Sequence, residues 1–365
     1  LKKIFYKISP LMLLYLFFLM GICEISAQRV RPYFQPTRAL LMGDAYTAYD
    51  LGFESVFYNP AGVAKKNKSA KKFIDLEMWG SQAMFTVLPS LAQLQGLSEI
   101  IANNPGAVHS LGLAFSPQFI VKNFSIGAMV RTYVEGIVDP TSFDFDYYGY
   151  SDIGIYTHWG ASFLGGIVKV GAGAKFLDRA EVERTFSEAE YTGGGLSLAE
   201  QWREGVGYGF DAGILVQLPT AGLPAFGISV QEIGNTQLLD RRFIFTGSSG
   251  TPGSPPNLRQ RVNLGVALNL KHSPGVKSGL AFDVKDALYL ADNTIERLHL
   301  GWELSVNNSV FVRAGVNQGR YWTAGVAFKL AGIILEGGTY GENLLFGTGS
   351  RRDDRKYVGR YAIVF

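Results

Sequence analysis

The stretch Lys356-Tyr-Val-Gly-Arg-Tyr-Ala-Ile-Val-Phe365 decides the fold. In an extended chain successive side chains point to opposite faces, so Tyr357, Tyr361, Ile363 and Phe365 share one face and Lys356 and Arg360 the other. A two-faced strand that ends on an aromatic residue has the form of the signal that bacterial outer-membrane barrels present to the barrel assembly machinery. Lipid is then the solvent for most of the chain.

The other end of the sequence supports passage out of the cytoplasm. Lys2, Lys3 and Lys7 precede an apolar run over residues 11–22, and Ser26-Ala27 offers a small-residue cleavage site, so residues 1–27 read as a signal peptide. The run is shorter than the roughly 20 apolar residues a spanning helix needs. The single cysteine, Cys23, sits in this segment. Ile22 before it is unlike the small residue that lipidation sites favour, and its removal with the leader leaves no disulfide and no thiolate metal ligand.

Composition narrows the class. No later stretch approaches a spanning helix, yet the chain is 47% hydrophobic and 13% aromatic, with 44 glycines and only 18% charged residues. Such a profile suits short alternating strands with aromatic side chains at two membrane interfaces. A net charge of +3, dispersed along the chain, gives no footprint for nucleic acid.

Period-two alternation predicts strands at 73–84, 108–117, 123–136, 150–162, 167–182, 206–218, 225–232, 261–270, 277–286, 296–306, 309–317, 320–330, 333–341 and 354–365. Val262, Leu264, Val266, Leu268 and Leu270 alternate with Asn263, Gly265, Ala267 and Asn269, for example. About fourteen strands is an even number, as single-chain bacterial barrels require. The connections alternate as well: short turns such as 219–224, 271–276 and Asn307-Asn308 interleave with long loops at 85–107, 137–149, 183–205, 233–260, 287–295 and 342–353. Residues 317–320 are the exception, a tight hairpin on the long-loop rim. The expected fold is all-β, a transmembrane antiparallel barrel over residues 72–365, with an N-terminal plug, or hatch, over 28–71.

By parity Arg131, Asp283, Lys285, Glu303, Arg313 and Lys329 face the lumen as a polar network of both signs. Arg or Lys on the lipid face would cost roughly 2–4 kcal/mol at the midplane, so inward charge follows from the fold itself. The mixture of signs argues against an ion-selective ring and for a clamp on the plug. A short apolar helix is expected over 89–102, with Leu91, Leu94, Leu97 and Ile101 on its stripe, capping the lumen or meeting a greasy ligand. The four histidines lack ligand spacing and the glycine runs at 193–195 and 205–209 open no helix after a buried strand, so neither metal, cofactor nor enzyme activity is expected.

Between the leader and the first strand lie Thr37-Arg-Ala-Leu-Leu-Met-Gly-Asp-Ala-Tyr-Thr-Ala48 and Ser55-Val-Phe-Tyr-Asn-Pro-Ala-Gly-Val-Ala64. This pattern resembles the amino-terminal hatch of the FadL-like outer-membrane superfamily, which includes fatty-acid and aromatic-hydrocarbon channels and the PorV/PorQ-type proteins of secretion. The resemblance implies an outer-membrane location in a Gram-negative-type bacterium and a hatch whose hinge and wall contacts are Gly43, Asp44, Asn59, Pro60, Ala61 and Gly62. A channel of this kind takes a hydrophobic small molecule or lipid at its loops and releases it sideways into the bilayer. A PorV-type protein would instead anchor or shuttle a secretion-system protein through loops such as 183–205 and 233–260.

Overall fold

The computed structural model describes residues 33–49, 52–64, 69–92, 104–192, 201–220, 222–241, 244–245, 251–288, 294–345 and 351–365. The leader predicted at 1–27 lies outside them. Among the described residues fourteen strands close into one antiparallel barrel, with the two-residue strand Leu239–Asp240 pairing outside the closed path. They are β1 (Ala70–Ser81), β2 in two pieces (His109–Phe115 and Gln118–Val121), β3 (Phe124–Val138), β4 (Phe145–Phe163), β5 (Val168–Phe186), β6 (Arg203–Gln217) and β7 (Ala225–Gln231). The series continues with β8 (Arg261–Ser273), β9 (Val276–Val284), β10 (Leu298–Val306), β11 (Val310–Asn317), β12 (Tyr321–Leu330), β13 (Ile333–Leu345) and β14 (Arg351–Val364). Each pairs with its sequence neighbours, and β14 closes on β1 with Ile74 opposite Ile363 and Ser81 opposite Lys356.

Burial follows the alternation. Tyr357, Tyr361 and Phe365 are 43%, 37% and 70% exposed, whereas Lys356 and Arg360 are buried on the inner face. Leu264, Val266, Leu268 and Leu270 likewise face out while Gly265 and Ala267 face in. The outer belt is apolar because lipid is its solvent, and closure leaves no unpaired edge within it.

Turn chemistry fixes the tight hairpins. Asn307 and Asn308 both adopt φ +52°, the left-handed pair that matches the twist of a two-residue hairpin between β10 and β11. Gln318 and Gly319 also have positive φ and make the short connection expected at 317–320. The long loop expected at 137–149 shrinks to residues 139–144, since β3 and β4 stay paired up to Val138 and Phe145. Within β2, Ser116-Pro117 interrupts the strand because proline brings no N–H to the ladder.

The first predicted strand ends earlier than its alternation implied. Helix α2 (Gln82–Ala92) begins where the strand was expected to continue to Met84; α1 is the single turn Thr37–Leu40. Ser81 explains the switch, its hydroxyl accepting the Met84 N–H at 3.2 Å as an N-cap residue does. Leu91 therefore belongs to a helix that starts seven residues before the predicted Pro89, while Leu94, Leu97 and Ile101 lie outside the described residues.

Candidate functional site

Residues 33–49 and 52–64 lie inside the barrel. Tyr46, Met42, Ala45, Val56 and Ala61 are almost completely buried. Phe57 packs edge-on against Phe34 and against Tyr156 of β4, both at 4.9 Å between ring centroids. Wall glycines make room for this segment: a Cβ at Gly171, Gly213, Gly227, Gly265, Gly301 or Gly315 would come within 3.0 Å of its atoms. Six strands, β5 to β8, β10 and β11, therefore present bare backbone to the segment's backbone or short side chains.

The predicted hatch residues gather at this contact. Gly43 adopts φ +62° and its Cα faces the carbonyls of Leu300 and Val316, where neither a side chain nor an ordinary backbone conformation fits. Asp44 pairs with Lys285, just past β9, and accepts from the Tyr58 hydroxyl and from Gln35 Nε2 at 2.9 Å. Asn59 caps the 3-10 turn Pro60–Val63, accepting the Ala61 N–H at 3.0 Å, and donates to the carbonyls of Thr47 and Ile214 at 3.0 and 3.1 Å. Pro60 sits over Gly171, and Gly62 packs on Ser55.

The lumen charges bind the segment to the wall. Asp283 accepts the N–H groups of Tyr46 and Thr47 at 2.7 and 2.8 Å. Glu303 takes both Arg38 Nε and Nη2, at 3.0 and 2.7 Å, and Arg313 Nε at 2.6 Å from the strand opposite. Arg313 also meets Glu336 on β13. Arg131 stands apart in a second cluster, where it and Arg179 share Asp152 at 2.7 Å each. Lys329 joins no network among the described residues: it is on the inward parity but exposed at the rim, one residue before the end of β12. Parity assigns a face and is silent about height along the strand.

Other anchors were missed in the sequence. Thr37 donates its N–H and hydroxyl to Glu77 Oε2 at 2.7 and 2.6 Å, and Arg360 Nη2 meets Glu54 Oε1 at 2.8 Å. The Glu77 and Arg360 positions oppose each other across the closing strands, so the available signal was that a closed barrel must pair its first strand with its last. Burial on its own would raise the Asp44 carboxyl. Lys285 and His299, with the Lys285 and Tyr58 hydrogen bonds, outweigh it and hold Asp44 below the usual carboxylate range. Glu54 behaves alike, with Arg360 first among the cations that overcome its burial. Among the described residues no group of three or more His, Cys, Asp and Glu side chains is placed to hold a metal ion.

A closed barrel with an apolar outer belt, its own N-terminal segment packed on the inner face, has the FadL-like barrel fold. No protein-family model and no curated protein matches the sequence. Solved structures do. A deltaS2S3 mutant of the monoaromatic hydrocarbon channel TodX aligns with TM-score 0.54 at 10% identity, over 91% of this chain and 99% of that one. The Pseudomonas putida toluene transporter TodX aligns with TM-score 0.53 at 11% identity, over 90% and 97%. At this identity the likeness shows the fold.

Proposed function

We propose that the protein is an outer-membrane channel giving passive passage to hydrophobic small molecules, fatty-acid-like or aromatic, which leave sideways into the bilayer past the N-terminal hatch. The observation that carries this reading is an apolar groove on the outer wall, about 530 Å³ in volume, spanning β14 to β4. Leu76, Met78, Leu113, Phe115, Val130 and Tyr361 line it. The groove adjoins an irregular part of the wall, where β1 shifts register between Lys72 and Ile74 and β2 breaks at Ser116-Pro117. On the inner side the N-terminal residues packed against the wall glycines would obstruct a straight route, which favours exit through the side, where lipid receives an apolar solute. The likeness of the fold to that of a monoaromatic hydrocarbon channel supports the same substrate class. No catalytic step is needed, and the buried His109, His158 and His299 serve no chemistry in this scheme.

Uptake into vesicles tests the proposal. Proteoliposomes holding the barrel are expected to take up labelled toluene or a long-chain fatty acid faster than empty vesicles, and Leu113→Trp, which fills the groove, is expected to slow them. Uptake no faster than that of empty vesicles would overturn it; capture of a secretion-system protein on the loops would then favour the anchor or shuttle role.

A further inference from the structure

The seam where β14 meets β1 is held by more than its ladder. On its inner face Arg360 lies opposite Glu77 across the seam and opposite Glu336 on β13. Arg360 donates from Nε to Asp75 Oδ1 of β1 at 2.6 Å and from Nη2 to Glu54 Oε1 at 2.8 Å. Glu54 belongs to the N-terminal segment and not to the barrel. Glu77 of β1 in turn receives the two Thr37 donors of the same segment. Each strand of the seam is thus tied to the segment by its own bond: β14 through Arg360 and Glu54, β1 through Glu77 and Thr37.

From this geometry we infer that the N-terminal segment has a second function, as an internal staple that closes the barrel. Without it Glu77 would keep its place near Asp75 and its ion pair with Arg360 Nε at 3.7 Å, but would lose both hydrogen-bond donors from Thr37. Arg360 would lose one of its carboxylates. All of these side chains are buried, where an acid stripped of its donors is costly and like charges are weakly screened. Seating the segment removes both penalties, so docking of the segment and closure of the seam are a single event. Other contacts of the segment lie far from the seam in strand order: Asp44 with Lys285 and the Tyr46 and Thr47 amides with Asp283 at β9, and Arg38 with Glu303 on β10. This role holds whatever the channel carries.

Hydrogen exchange on the full-length protein in lipid nanodiscs separates staple from bystander. The double variant Thr37→Val with Glu54→Gln is expected to speed exchange about tenfold at the paired amides of β1 and β14 between Ile74 and Ile363, and to leave the β9–β10 pairing unchanged. Asp44→Asn, which loosens the segment at β9, is expected to leave the seam at its wild-type rate. Seam exchange equal to wild type in the double variant would overturn the inference, as would an equal opening of the seam by Asp44→Asn. Should the double variant fail to assemble, Glu54→Asp, which keeps the charge but shortens the reach, takes its place under the same two readings.

Discussion

Gly315 and Gly359 are both glycines of the barrel wall, yet they answer to different neighbours. A Cβ on Gly315 would press on backbone atoms of Met42, Gly43 and Leu300, none of which can swing aside. A Cβ on Gly359 meets nothing within 4 Å. Gly315→Ala is therefore expected to destabilise the barrel by about 1–3 kcal/mol, the usual cost of overpacking, and Gly359→Ala to stay within about 0.5 kcal/mol. The temperature at which the folded band is lost on a semi-native gel measures both. At this scale the sequence was legible in part. Alternation told which side chains face in, and the motif around Gly43 and Asn59 marked where the chain touches the wall. It could not tell that Lys329 lies exposed near the rim, or that Arg38 and Glu54 join the lumen network, because those partners are distant in sequence.

Among elements, the N-terminal segment is held by ionised groups, and two measurements follow. Neutralising Glu303 and Arg313 together removes the grip on Arg38 and is expected to raise passive conductance in planar bilayers; a barrel as closed as wild type would refute the clamp. The pH dependence has a definite sign. Folding lowers the Asp44 and Glu54 carboxyls, so their contribution is complete above the unfolded carboxylate range, near pH 4, and is lost as pH falls through the folded values. For these two groups, thermal stability is expected to change little between pH 8 and 5 and to drop in stronger acid, and Asp44→Asn with Glu54→Gln is expected to flatten that drop. Elements were mostly legible because a strand in lipid must alternate. The exception, the helix starting at Gln82, was hidden because residues 73–84 alternate well enough to continue a strand, while the capping contact of Ser81 with Met84 is local and decides otherwise.

For the whole molecule the outer belt sets the terms. Leu280 faces lipid in the middle of β9, opposite Trp302 of β10, so Leu280→Arg is expected to cost about 2–4 kcal/mol and to lower the yield of folded barrel in outer-membrane fractions. The same substitution at Lys277, near the turn and already cationic, is expected to be silent. The belt is not matched by walls of even height. β4 and β5 run for 19 residues each, whereas β11 has 8 and β12 has 10. At about 3.3 Å per residue the tall strands are near 60 Å long, far beyond the roughly 9–11 residues that cross the bilayer. The barrel thus has a parapet on one flank and a doorstep on the other. Sides of unequal height give the barrel a front and a back about its own axis.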